Sequence, residues 1–91
     1  MNNIWYERPE DDPFYVELGK AVRGRRKALG LTQEGLAKAG EISRAEVQFI
    51  ENAKRRETLQ TMRGCCWGLG GIWLSELFLE VERRLRQSDG G

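Results

Sequence analysis

Arg44, Gln48 and Asn52 recur at i, i+4 and i+8, which is the spacing of one face of a helix, and Val47 and Ile50 fall on the other side. Guanidinium and carboxamide groups in such a line can make paired hydrogen bonds to base edges in a major groove, arginine to guanine and glutamine to adenine. Periodicity alone fits a plain solvated helix face equally well. Charge adds to the argument. Residues 1–17 carry one base and five acids, net −4; residues 18–63 carry eleven bases and five acids, net +6; residues 64–91 carry three bases and four acids, net −1. The total of +1 therefore hides a basic middle between acidic ends, the pattern of a surface that meets a polyanion.

Other chemistry has few candidates. The 91 residues contain no histidine, so the commonest general base and a common zinc ligand are both missing. The only cysteines, Cys65 and Cys66, are adjacent. They are too few for a four-ligand metal cage and poorly placed to bridge each other, which suits a reducing, cytoplasmic setting. No cofactor, no metal and no enzymatic activity are expected. The N-terminus lacks a basic start and an apolar signal run, and no apolar stretch approaches the ~18 residues that cross a bilayer, so no membrane partner is expected.

The elements that must hold the polar line are helices. Asp12 and Pro13 start the first, whose apolar residues Tyr15, Leu18, Val22 and Leu29 lead to Gly30. Thr32 caps a second over residues 33–39, with Leu36 and Ala37 inward, and Gly40 with Glu41 breaks it. Ser43 caps a third over residues 44–52. Thr58 caps a fourth over residues 59–69, with Leu59, Met62, Cys66 and Leu69 as its stripe and Gly70-Gly71 as its end. A fifth begins at Ser75, with Leu77, Phe78, Val81 and Leu85 on one side. The fold class is all-α, a compact bundle of four to five short helices ending in a C-terminal helix. Two short helices joined by a glycine-containing turn, here the second and third, form a helix-turn-helix. Three segments result: an acidic and aromatic arm over residues 1–13, containing Trp5 and Tyr6, a domain over 14–78, and the end of the last helix with a tail over 79–91.

Residues 18–55 and 58–78, about two thirds of the chain, resemble the lambda-repressor-like, Xre-type helix-turn-helix family. The resemblance rests on Leu31-Thr32-Gln33-Glu34, Ile42-Ser43-Arg44, Ile50-Glu51 and the ending from Leu74 to Phe78. It implies a transcriptional regulator, a repressor by expectation, that binds a palindromic operator in double-stranded DNA as a homodimer. By position it implies that Arg44, Ala45, Gln48 and Phe49 face the bases, Phe49 standing where polar residues are usual. Gln33 would touch a phosphate or base edge, Ser43 would cap the reading helix, and Asn52, Lys54, Arg55 and Arg56 would follow the DNA backbone. Arg26 and Glu51 are implied as a structural ion pair. Glu41 stands where a turn glycine is usual, with Gly40 one place earlier; Arg25 stands at a usually apolar position, and Glu46 brings a negative charge to the docking side.

The apolar side of the last helix, Leu77, Phe78, Val81 and Leu85, together with Trp73, is the expected dimer seam, unless that helix folds back on its own subunit. The competing function is an antitoxin-like protein that holds a protein partner through its arm or C-terminal region.

Overall fold

Each of the first four helices starts on a side chain that captures a free backbone N–H, the defining role of an N-cap. In the computed structural model Asp12 accepts from the Phe14 N–H at 2.9 Å, Thr32 from Gly35 at 2.9 Å, Ser43 from Glu46 at 3.0 Å and Thr58 from Thr61 at 3.1 Å. These caps open α1 (Pro13–Ala28), α2 (Gln33–Gly40), α3 (Arg44–Glu51) and α4 (Leu59–Gly68). A 3-10 turn, Pro9–Asp11, precedes α1, and α5 (Leu74–Asp89) closes the order. The structure describes residues 6–89, with side chains as far as Gln87, so Trp5 of the aromatic arm lies outside it. Among the described residues there is no strand, and no helix is long and apolar enough to cross a membrane.

One core receives a strip from every helix: Leu18, Ala21 and Val22 of α1, Leu36 and Ala37 of α2, Val47 and Ile50 of α3, Met62, Cys65 and Cys66 of α4, and Leu77 and Val81 of α5. Burial of a Val, Leu or Ile side chain stabilises by roughly 1.5 to 3 kcal/mol, so this cluster is the main favourable term. The expected stripe on α4 is corrected at its first member. Leu59 is 67% exposed, because it occupies the first position of the helix and projects beyond the core. α5 starts at Leu74 rather than Ser75 and runs unbroken past residue 78.

The expected dimer seam is also corrected. Leu77 and Val81 are completely buried within their own chain, Phe78 lies edge-on to Phe14 with ring centroids 5.6 Å apart, and Leu85 packs against the core. α5 folds back along α1, and Arg25 accounts for part of the hold: its Nε donates to Glu80 at 2.6 Å and its Nη1 to Glu76 at 3.2 Å. The guanidinium at a usually apolar site is thus the anchor for two acids of α5. Of the five seam residues only Trp73 stands free, 79% exposed.

α2 and α4 meet differently. A Cβ built on Gly64 would lie 2.7 Å from the Gly40 carbonyl oxygen, one on Gly68 would lie 2.8 Å from Leu36, and one on Gly40 would collide with the Gly64 carbonyl. Gly40 is therefore the last residue of α2 and a packing residue, while the left-handed position of the turn falls one place later on Glu41, at φ 55° and ψ 41°.

Candidate nucleic-acid interface

The orientation of α3 is fixed from below by a carboxylate with three donors. Arg26 of α1 gives Nε and Nη2 to the two oxygens of Glu51 at 2.6 and 3.0 Å, and Gln33 at the start of α2 gives Nε2 to the same carboxylate at 3.2 Å. The remaining Arg26 nitrogen donates to the Leu31 carbonyl at 2.9 Å, between α1 and α2. Three helices thus share one charge-assisted network, and the Glu51 side chain is 2% exposed. The hydrogen bond to Glu51 holds the Arg26 guanidinium above its ordinary value, against the opposing effect of burial. Such a pair contributes little net stability over an apolar one, but loss of one partner strands the other's charge.

The start of α3 is fixed by a second carboxylate. Glu46 returns to the Ser43 N–H at 2.8 Å while Ser43 caps Glu46, a complete capping box, and its other oxygen accepts from the Thr61 hydroxyl of α4 at 2.7 Å. The Ser43 N–H first, and the Thr61 hydroxyl second, keep this carboxyl below the usual range. Glu46 thus keeps its charge, with its oxygens committed to the cap and to α4.

With both ends pinned, α3 turns Arg44 and Ala45 to solvent and leaves Gln48 half-buried. Among the described residues neither Arg44 nor Gln48 has a side-chain hydrogen bond or an ion pair, whereas Glu46 and Glu51 on the same helix are fully engaged. Phe49 is half-buried, and the Arg55 guanidinium lies 4.1 Å from its ring centroid, a cation–π contact. Gln33 spends one of its two amide hydrogens on Glu51 and keeps the other at the N-terminus of α2, where backbone N–H groups favour anions.

The family match coincides with this arrangement. A family model described as helix-turn-helix matches residues 22–65. Over residues 22–65 the chain thus carries a helix-turn-helix of the lambda-repressor-like type. The helix-turn-helix domain is similar in structure to the clp gene regulator ClgR from Corynebacterium glutamicum, with 21% identity, coverage of 85% of this chain and 81% of that one, and a TM-score of 0.75. It is similar also to the wild-type restriction-modification controller protein C.Esp1396I, with 20% identity, coverage of 81% and 95%, and a TM-score of 0.72. At these identities the likeness is one of fold. No curated protein sequence matches the chain.

The segment after α3 departs from expectation. Ala53 takes a left-handed turn, φ 53°, and is 5% exposed, so a buried methyl sits where the sequence offers no glycine to mark the bend. Asn52 is exposed beside it. The cations that follow already have partners within the chain. Lys54 Nζ donates to Glu10 at 2.8 Å, and Arg56 donates to the Tyr6 carbonyl with its guanidinium 5.8 Å from the Tyr15 ring. Sequence reasoning gave the arm a role only in the competing function, as a hold for a protein partner, and the signal that could have placed it against these cations is its run of acids.

Two further features bear on chemistry. Burial pushes the Cys65 thiol up to about 12 and raises Cys66 as well, so neither is a thiolate near neutral pH. Among the described residues no group of three or more histidine, cysteine, aspartate or glutamate side chains could hold a metal ion.

Proposed function

We propose that the chain is a DNA-binding transcriptional regulator, a repressor that acts in the cytoplasm as a homodimer on a palindromic operator. The observation that carries this reading is the division of α3: its acids are spent internally, while among the described residues its donors Arg44, exposed, and Gln48, half-buried, are unspent. Arg44, Ala45, Gln48 and Phe49 are assigned to the bases, and Gln33, Ser43, Asn52, Lys54, Arg55 and Arg56 to the backbone. Residues 14–78 form the binding unit, flanked by the arm and the end of α5. Selection from a random duplex pool tests it. Arg44→Ala and Gln48→Ala should each relax preference at one base pair per half-site, at ~1 to 3 kcal/mol, whereas Lys54→Ala should weaken every sequence alike. Uniform losses across the pool for all three variants would sink α3 as the reading helix.

The dimer requires a seam other than the buried side of α5. Trp67, 69% exposed, and Trp73 flank an open groove that Glu41 and Arg63 also line. Exposed tryptophans are typical interface anchors, and a two-fold contact could set one copy's Arg63 against the other's Glu41. Trp67→Ser with Trp73→Ser should leave a folded monomer by light scattering and circular dichroism. A double variant that stays dimeric would overturn this seam, and an intact chain that stays monomeric at tens of micromolar, free and on DNA, would favour a different protein as the occupant.

A further inference from the structure

Residues 6–12 carry four acids, Glu7, Glu10, Asp11 and Asp12, against the single base Arg8, and they lie against the segment that follows the reading helix. Their shape is fixed locally. The Asp11 and Asp12 N–H groups donate to the carbonyls of Arg8 and Pro9 at 3.1 and 3.0 Å, Arg8 Nε donates to Asp11 at 3.0 Å, and Asp12 then caps α1. Glu10 is therefore held where Lys54 reaches it, and that contact keeps its carboxyl below the usual range. Arg56 is drawn to the same strap by the Tyr6 carbonyl.

A carboxylate oxygen and a phosphate oxygen offer an ammonium group the same thing, an anionic acceptor for one charge-assisted hydrogen bond. Both partners of this pair remain partly open, with side-chain exposures of 57% for Lys54 and 35% for Glu10, so the contact can exchange without unfolding a core. We propose that the acidic segment 6–12 competes with duplex phosphates for Lys54 and Arg56, occupying both in the free protein and being displaced when DNA binds. The inference rests on the DNA-binding reading. Its consequence is selectivity: a random duplex binds mainly through its phosphates, with which the strap competes directly for Lys54 and Arg56, while an operator adds base contacts on α3 that the strap leaves untouched.

The test compares the intact chain with Glu10→Gln, with Glu10→Gln/Lys54→Ala, and with Glu82→Gln, which removes the same formal charge from α5. Binding to a random-sequence duplex is measured by fluorescence anisotropy over a salt series. Glu10→Gln should bind about threefold tighter per subunit at low salt, and that gain should shrink as salt rises, because screening weakens the Lys54–Glu10 pair that opposes binding in the intact chain. Glu82→Gln should change little, and the gain should vanish in the double variant. An intact chain that binds while Glu10→Gln matches it, or Glu82→Gln that gains as much as Glu10→Gln, would overturn the competitor. Failure of the intact chain and Glu10→Gln alike to bind any duplex at low salt would remove the DNA-binding reading, and the competitor with it.

Discussion

The α2–α4 contact and the α1–α5 contact do the same job by opposite means. α2 and α4 touch backbone to backbone, with Gly40, Gly64 and Gly68 leaving no room for a methyl group. α1 and α5 pack through their side chains instead, Phe14 against Phe78 and Leu77 and Val81 in the core, with Arg25 between Glu76 and Glu80, and Arg84 between Glu80 and Glu17, on the outside. The first contact has one solution, because a carbonyl cannot move without its helix. The second can adjust, because flexible side chains absorb small displacements. The rigid contact lies beside α3, the helix proposed to hold Arg44 and Gln48 in register on DNA, and the adjustable one joins the outer helix to the bundle.

The sharpest way to break this contrast is Gly40→Ala. The added methyl meets the Gly64 carbonyl, so the variant should lose about 3 kcal/mol in urea unfolding, against ~1 to 3 for ordinary overpacking. A loss below 1 kcal/mol would mean that α2 and α4 are not locked. Arg25→Ala should come next, at about 1.5 kcal/mol, since it leaves Glu80 half-buried without its closest partner. High salt should shrink that difference, which would separate charge from packing.

Acid should loosen the link from α3 to α4. Glu46 is held below the usual carboxylate range, so its contribution is complete above its unfolded value of about 4.3 and is lost as pH falls through the lower folded value. The gap between the parent and Glu46→Gln, about 1 kcal/mol at pH 7, should therefore close toward pH 2. A gap that widens on acidification would reverse the assignment. The smallest effect sharpens the comparison most. A Cβ on Gly24, in the middle of α1, would meet only the end of the Arg84 side chain at 3.7 Å. Gly24→Ala should stabilise by about 0.8 kcal/mol through helix propensity, opposite in sign to the same exchange at Gly40.

What could be read in advance follows how local each cause is. Asp12, Thr32, Ser43 and Thr58 announce helices because a cap acts within three residues, and the core strips at Leu36, Val47 and Met62 show as helical periods. Arg25 could not be understood from α1 alone, since its partners stand 51 and 55 positions later. Leu77 and Val81 had the period of a buried face, but period does not say whose surface buries it. Glu41 and Ala53 both adopt left-handed turns; Gly40 and the turn position mark the first bend in the sequence, whereas nothing in composition marks the second. On the candidate interface, the outward placement of Arg44 and Ala45 follows from the helical period. The occupation of Lys54 by Glu10 required a contact 44 positions apart.

The adjacent cysteines of α4 make the interior measurable in time. A thiol that is buried and protonated in the closed state reacts with an alkylating reagent only while the helix is open, and then with the ordinary reactivity of an exposed cysteine. Cys65 lies in α4 next to Gly64, where the backbone meets Gly40, so its labelling rate near neutral pH reads how often the α2–α4 contact comes apart. The chain thus carries its own clock for the motion that would blur α3, one that runs without an added probe and can be followed in the presence or absence of DNA.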